Sequence, residues 1–129
     1  MERPDQAVLV VDDDLDIREA LTDILEDRGF HVTSAANGRE ALTLLRSLSA
    51  LPSVILLDLM MPIMDGYGFL EEQRRDASLA VIPVAIITAG HGVDRLRIDG
   101  VAPIVPKPIN LQRLFSIIDQ LCQSPAGAT

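Results

Sequence analysis

The sequence predicts an α/β fold built on a parallel sheet of five strands. Short aliphatic runs alternate five times along the chain with segments whose apolar residues recur at helical spacing. Such strand–helix–strand units join parallel strands through crossover connections. The run at residues 54–57, Val-Ile-Leu-Leu, is too short for a helix and is typical of a strand buried on both faces. A chain of 129 residues also favours one domain with a core of its own.

The predicted elements follow one another without a linker or an internal repeat. We expect strands at residues 7–11, 30–35, 54–57, 83–88 and 103–105. We expect helices at residues 15–28, 39–48, 67–75 and 93–98, and a last helix from residue 111 onward. These elements give a domain at residues 7–122, preceded by an N-terminal extension at residues 1–6 and followed by a flexible tail at residues 123–129.

The first, fourth and last helices carry different end signals. Gly29 is expected to stop the first helix, and Asn110 is expected to cap the last one. The fourth helix is short and lies between Gly90 and Gly100, so we expect it to be marginal and the segment around it to be the mobile part of the chain.

Composition and charge exclude several classes of function. The net charge is −8 and no basic stripe is present, which argues against a nucleic-acid surface because nothing would neutralise the phosphates. The single cysteine, Cys122, excludes an internal disulfide and fits a reducing compartment. No apolar run reaches membrane-spanning length, and the first residues do not form a signal peptide. We therefore expect a cytoplasmic protein without a membrane or nucleic-acid partner.

The candidate site lies where the predicted strands end. In a parallel sheet all carboxyl ends share one edge, so the chain should bring these residues together there: Asp12, Asp13, Asp58, Thr88 and Lys107. Carboxylates at close range repel, so one must hold a proton or a cation must lie among them. A site of oxygen ligands suits Mg²⁺, with Mn²⁺ as the alternative. With Lys107 and the Thr88 hydroxyl to hold an oxyanion, Asp58 is the candidate nucleophile of a phosphoryl-transfer site.

Four motifs in this order resemble those of the receiver domains of two-component response regulators, similar to single-domain chemotaxis-type regulators. They are Val-Val-Asp-Asp-Asp (10–14), Leu-Leu-Asp-Leu-Met-Met-Pro-Ile-Met-Asp-Gly (56–66), Ile-Ile-Thr-Ala (86–89) and Pro-Lys-Pro (106–108). The resemblance implies a doubly wound, flavodoxin-like sheet of strand order 2-1-3-4-5 with helices on both faces. Its crevice would lie between strands 1 and 3.

The resemblance also implies a role for each matching position. Asp58 resembles the phosphoacceptor, and the Mg²⁺ ligands resemble Asp13, Asp58 and the backbone carbonyl of Met60, with Asp12 acting through water.

On the phosphate side, Thr88 resembles the switch hydroxyl and Ala89 the backbone donor beside it. Lys107 resembles the lysine that pairs with phosphate, followed by a cis proline at Pro108.

Two positions depart from the family pattern. Ile104 stands where receivers usually carry the aromatic partner of the switch threonine, and a β-branched side chain cannot act as a two-position aromatic gate. The chain between Thr88 and Lys107 is also shorter than usual, which removes residues from the fourth helix. We therefore expect the switch to act directly on the loop after Thr88.

The expected function is that of a receiver rather than an enzyme with turnover of its own. It would accept a phosphoryl group from a phosphohistidine of a histidine kinase or histidine phosphotransfer protein, and catalyse only this transfer and its own dephosphorylation. It would then signal by contact with a downstream protein, as a monomer or weak dimer. Ile109 and the start of the first helix (Asp14, Leu15) would face the kinase. A stand-alone regulator, a relay intermediate and an excised domain all remain open.

Two other classes of function fit the sequence less well. A phosphohydrolase of the haloacid-dehalogenase kind also uses a strand-end aspartate and Mg²⁺, but it needs a second aspartate where this chain has Met60. A receiver-fold interaction module that acts without phosphorylation usually lacks the acids, the threonine or the lysine, and this chain has them all.

Overall fold

The computed structural model describes residues 6–89, 98 and 102–123. The described strands are β1 (Ala7–Val11), β2 (His31–Ala35), β3 (Val54–Asp58), β4 (Val84–Thr88) and β5 (Ile104–Pro106). The described helices are α1 (Leu15–Asp27), α2 (Gly38–Ser47), α3 (Gly66–Arg75) and the C-terminal helix (Leu111–Gln123). Within these residues, no helix combines the length and the apolar character needed to cross a membrane.

The strands form one parallel sheet in the order β2-β1-β3-β4-β5. This confirms the predicted order 2-1-3-4-5 and the doubly wound, flavodoxin-like fold. β3 lies in the centre of the sheet and is buried along its whole length, and its first four residues are apolar before the terminal Asp58. The crevice between β1 and β3 therefore opens beside an acid that ends a central strand.

Alternate residues of the strands face two separate cores, as parallel strands covered on both sides require. One core joins Leu9 and Ile55 of the sheet to α2 and α3 through Leu45 and Phe69. The other joins Val10 and Leu56 to α1 and the C-terminal helix. The helices on both faces fix the positions of the strand ends, and with them the geometry of the carboxyl edge.

The predicted boundaries of the described elements lie within one residue of the observed ones, and local hydrogen bonds account for several of them. Arg28 and Gly29 donate their backbone N–H groups to carbonyls of the last turn of α1, so the helix ends at Asp27 and Gly29 takes a φ of 94°. Asn37 caps α2 by accepting from Glu40 N, and Asn110 accepts from Arg113 N at the start of the C-terminal helix, as predicted. Gln123, predicted to belong to the tail, still lies in the C-terminal helix.

Three of the predicted segments lie almost wholly outside the described residues. The shortened fourth helix at 93–98 falls almost wholly there, with Ile98 alone described and buried in the core. The N-terminal extension is described at Gln6, and the tail is not described beyond Gln123.

Candidate functional site

Two buried aspartates end neighbouring strands at the centre of the sheet. Asp12 directly follows β1, Asp58 is the last residue of β3, and Val11 is in register with Leu57 between the two strands. Asp12 is 3% exposed and Asp58 is 6% exposed, whereas Asp13 is exposed to solvent. One carboxylate oxygen from each of the three acids lies within 4.8 Å of the others. The structure thus brings together the three carboxylates that the sequence places at this edge.

Hydrogen bonds hold Asp12 on several sides. Its N–H donates to Ala35 O at 3.1 Å, which extends the pairing of β1 with β2 by one residue. Its Oδ1 accepts from Asp14 N at 2.9 Å, and its Oδ2 lies 3.2 Å from Lys107 Nζ. Asp14 in turn caps α1, accepting from Asp16 N at 2.9 Å. The turn between β1 and α1 is therefore an ordered loop, and the third acid of the Asp-Asp-Asp motif is a helix cap.

Lys107 is the only lysine in the sequence. It directly follows β5, and its side chain reaches the acids at the ends of β1 and β3. Its backbone N–H donates to Thr88 O at 2.8 Å, which continues the pairing of β4 with β5, and its Nζ lies 3.8 Å from Asp58 Oδ2. The Lys107–Pro108 peptide bond is cis, as the resemblance implies. Thr88 ends β4 and is buried, and Ala89 follows it at the exposed edge.

Burial and crowding change the acidity of Asp58. The pKa of Asp58 is raised from 3.8 to about 6. Burial is the largest cause, because it disfavours the charged carboxylate, and the negative charge of Asp12 adds to the effect. Lys107 and the N–H of Met60 act in the opposite direction by favouring the ionised form. Asp58 is therefore a more basic carboxylate than a surface aspartate, which suits a nucleophile.

The donor set of this edge fits a hard divalent cation. Three carboxylates stand close together, and within the part of the chain that the structure describes no histidine or cysteine belongs to the cluster. Oxygen-only sites of this kind prefer Mg²⁺, which usually keeps several water molecules. Met60 follows the cluster with an exposed side chain, and its N–H donates to Asp58 Oδ1 at a long 3.4 Å. This contact keeps the first turn of the β3–α3 loop beside the acids.

The β3–α3 loop is held against the end of β3 by very close backbone packing. Gly66 donates its N–H to Leu59 O at 2.9 Å, and a Cβ at Gly66 would lie 2.6 Å from Asp58 O. Farther along, Met64 O accepts from Gly38 N at 2.8 Å, which ties the loop to the start of α2. Ile63 takes a φ of 70°, an unusual value for a β-branched residue. Asp65 and Gly66 are the cap and the first residue of α3.

Four predicted positions lie outside the cluster of three acids. Ile104 is half-buried in β5 and packs against the core that contains Leu9 and Ile86, on the face covered by α2 and α3. Ile109, Asp14 and Leu15 all lie on the rim of the same edge, and Leu15 is 55% exposed.

Sequence reasoning missed Arg18, whose Nη1 donates to Asp12 O at 2.7 Å. A folded loop was needed to reveal this contact, because the two residues are separated by a helix cap whose geometry the sequence pattern does not give.

Comparison with known proteins identifies the family. Residues 8–119 match the family model described as the response regulator receiver domain. A "Probable transcriptional regulator ycf27" from Porphyra purpurea is 40% identical over 97 residues, which cover 74% of this chain and 38% of that protein. The chain thus spans well under half the length of this curated relative.

Solved structures agree with the family match. The chemotaxis protein CheY4 of Vibrio cholerae has a TM-score of 0.80 and 28% identity, covering 90% of this chain and 98% of that chain. The response regulator protein TrrA of Thermotoga maritima, solved in complex with Mg²⁺ and BeF, has a TM-score of 0.78 and 29% identity with the same coverage. These findings confirm the resemblance drawn from the four motifs, and they mark the chain as a signalling domain rather than a classical enzyme. The chain belongs to the family of response regulator receiver domains.

Proposed function

We propose that this chain accepts a phosphoryl group on Asp58 from a phosphohistidine of a histidine kinase or a histidine phosphotransfer protein. The observation that carries the proposal is the pair of buried carboxylates, Asp12 and Asp58, at the ends of adjacent strands with Lys107 within 4 Å of both. The raised pKa of Asp58 supports the role of nucleophile. The P–N bond of the donor would break as a P–O bond to Asp58 forms, and the imidazole would leave with the electron pair and take up a proton.

The residues around Asp58 divide into two groups in this proposal. Asp13, Asp58 and the carbonyl of Met60 would hold Mg²⁺, with Asp12 acting through water; Mn²⁺ is the alternative ion. When bound, the ion supplies positive charge to the phosphoryl oxygens. Lys107, the Thr88 hydroxyl and the Ala89 N–H would receive those oxygens from the other side. The similar protein TrrA is solved with Mg²⁺ and BeF, which supports a site that takes Mg²⁺ beside a phosphoryl group.

The output of the domain would be a change in partner contact. We propose that Thr88 moves toward the phosphoryl group and shifts the loop that follows it, and that Ile104, already packed in the core, does not act as an aromatic gate. The phosphorylated chain would then bind a downstream protein, as a monomer or a weak dimer, and later lose the phosphoryl group by its own hydrolysis. A cytoplasmic location belongs to the same proposal, because the single cysteine fits a reducing compartment.

The rim of the carboxyl edge would receive the phosphodonor. Leu15 and Ile109 are apolar residues that stand beside the acids, at the start of α1 and after Pro108. We propose that these residues and Asp14 contact the donor helix that carries the phosphohistidine.

Incubation with Mg²⁺ and acetyl phosphate tests the proposal. We expect the parent chain to gain one phosphoryl group, detected by intact mass, and to gain none after chelation of Mg²⁺ or in Asp58→Asn. Asp76→Asn, which removes an aspartate from the opposite end of α3, is the matched control and should label like the parent. Labelling of Asp58→Asn at the rate of the parent would refute the assignment. A folded parent that takes no label would favour the alternative, an interaction module that acts without phosphorylation.

The phosphohydrolase alternative loses its support. The family match covers most of the chain, and Met60 occupies the position where that class needs its second aspartate.

A further inference from the structure

Arg18 links α1 to the acid cluster through the main chain. Its Nη1 donates to Asp12 O at 2.7 Å, and its own N–H donates to Asp14 O at 3.0 Å. Arg18 therefore contacts both ends of the short turn that carries the acids. Its carbonyl also accepts from Thr22 Oγ1 at 2.7 Å, one turn further along α1. The Arg18 side chain thus joins α1, where its backbone is held, to the end of β1, where its guanidinium donates.

The contact acts on a residue whose other polar atoms are already occupied. Asp12 N, Oδ1 and Oδ2 are engaged by Ala35, Asp14 and Lys107 respectively. Arg18 adds the hydrogen bond to the carbonyl of this 3% exposed residue. Rotation of the Asp12 main chain would break several of these contacts together, and it would also move Asp13, the next residue along the chain.

Arg18 can influence the acids in two opposing ways. As a positive charge held at the Asp12 carbonyl it would compete with a cation, so its removal would strengthen Mg²⁺ binding. As a group that fixes the Asp12 carbonyl it keeps the ligand oxygens in place, so its removal would weaken Mg²⁺ binding. The guanidinium is only half-buried, and water screens its charge. The hydrogen bond, in contrast, is short and made to a buried atom.

We propose that Arg18 is a positioning residue for the acid cluster, which acts by holding the Asp12 carbonyl and not by its charge. The part of the inference that concerns Mg²⁺ rests on the proposed function. The part that concerns the conformation of the turn does not, because the hydrogen bonds that define it join residues of the chain to one another.

Three variants separate the two effects. Arg18→Met removes the guanidinium and keeps an unbranched apolar stem against α1. Arg18→Lys keeps the charge and a donor of similar reach. Arg74→Ala removes an exposed arginine from the far end of α3 and serves as the control for the loss of one positive charge. Arg18→Gln replaces Arg18→Met if thermal melting shows the methionine variant to be unfolded.

Two measurements are made on each folded variant: the Mg²⁺ dissociation constant by calorimetry, and the exchange rate of the Asp14 amide in metal-free protein by NMR. The Asp14 N–H donates to Asp12 Oδ1, so its exchange reports the orientation of Asp12. For Arg18→Met we expect Mg²⁺ binding roughly tenfold weaker and faster exchange at Asp14. Arg18→Lys should keep most of the Mg²⁺ affinity and most of the protection of the Asp14 amide. Arg74→Ala should match the parent in both measurements.

The outcomes that overturn the inference are distinct from those that overturn the proposed function. Tighter or unchanged Mg²⁺ binding in Arg18→Met, with the parent binding Mg²⁺ normally, would show that Arg18 acts by charge or not at all. If the parent itself bound no Mg²⁺, the proposed metal role would fail. The exchange rate of the Asp14 amide alone would then test the positioning role of Arg18. Unchanged exchange would then overturn the positioning role, and faster exchange restored by lysine would support it.

Discussion

Lys107 lies closer to Asp12 than to Asp58: its Nζ is 3.2 Å from Asp12 Oδ2 and 3.8 Å from Asp58 Oδ2. The lysine side chain is 22% exposed and both carboxylates are buried, so water screens these pairs less than it would at the surface. One cation is therefore shared between two acids that repel each other. A phosphoryl group on Asp58 would bring new negative charge to the edge and draw the shared lysine toward it.

The first prediction concerns the influence of this lysine on Asp58. Lys107 lowers the pKa of Asp58, which burial and Asp12 raise to about 6. In Lys107→Met the opposing cation is lost, and we expect the pKa of Asp58 to rise above 6 in metal-free protein. Carbon-detected NMR titration of the Asp58 carboxyl measures it, with Arg113→Met, a change on the exposed surface of the C-terminal helix, as the control. A pKa that stays the same or falls would contradict the shared pairing.

The second prediction concerns stability and pH. A carboxyl whose pKa is higher in the folded than in the unfolded chain binds a proton more tightly when folded, so its contribution to stability is lost as pH rises. For Asp58 the loss begins near pH 4 and is complete above about pH 6, and the difference between 3.8 and about 6 corresponds to roughly 3 kcal/mol. Asp58→Asn should therefore be more stable than the parent at neutral pH without metal, by up to that amount.

Urea unfolding of both chains at several pH values, in the presence of a chelator, measures the difference. The advantage of Asp58→Asn should shrink as pH falls from 6 to 4, because the parent gains its proton there. An advantage that stays constant over this range would show that the variant acts through packing and not through the charge of Asp58.

The third prediction concerns the exposed acid of the cluster. Asp13→Asn removes one carboxylate from three that stand within 4.8 Å, so it should weaken Mg²⁺ binding by about tenfold or more. The same change relieves repulsion, so without metal the variant should melt no lower than the parent. Calorimetry gives the affinity and thermal unfolding the stability, with Asp27→Asn at the far end of α1 as the control. Unchanged affinity would exclude Asp13 as a ligand.

The fourth prediction concerns the close packing below the acids. A Cβ at Gly66 would lie 2.6 Å from Asp58 O and 2.8 Å from Leu59 Cα, and neither backbone atom can move without displacing the end of β3. We expect Gly66→Ala to destabilise the domain by about 1–3 kcal/mol.

Gly68 offers the matched control on the same helix. A Cβ at Gly68 would lie 3.1 Å from Met64 Cγ, part of a flexible side chain that can shift. Because alanine favours a helix over glycine by up to about 1 kcal/mol, Gly68→Ala should be neutral or stabilising. Urea unfolding compares the two variants, and equal effects would show that the contact with the backbone of Asp58 and Leu59 does not limit the site.

The sequence predicted the strands and their carboxyl ends well because aliphatic runs that stop at Asp12, Asp58 and Thr88 leave little freedom in a parallel sheet. The strand order could not be derived from periodicity and came from the resemblance, since crossover helices permit several orders. That the carboxyl ends of all strands lie at one edge followed from the parallel topology alone.

The hydrogen bonds that hold the site could not be predicted in the same way. The Arg18 contact with Asp12 O depends on the direction in which α1 leaves its cap, and the capping role of Asp14 was hidden among three identical acids. Gln73, buried inside α3, donates to the carbonyls of Leu79 and Ile82 and anchors the chain before β4, although both of its neighbours in the sequence are charged. Such contacts depend on tertiary packing, which hydrophobic periodicity does not encode.

Chemical location of the phosphoryl group tests whether Asp58 is the phosphoacceptor. The chain is phosphorylated by a phosphohistidine-bearing histidine phosphotransfer protein with Mg²⁺, quenched and treated with borohydride, which reduces an aspartyl phosphate to homoserine. We expect peptide sequencing by mass spectrometry to find homoserine in place of Asp58 and at no other aspartate. Homoserine at Asp12 or Asp13, or phosphate that borohydride does not remove, would contradict the assignment of Asp58 as the phosphoacceptor.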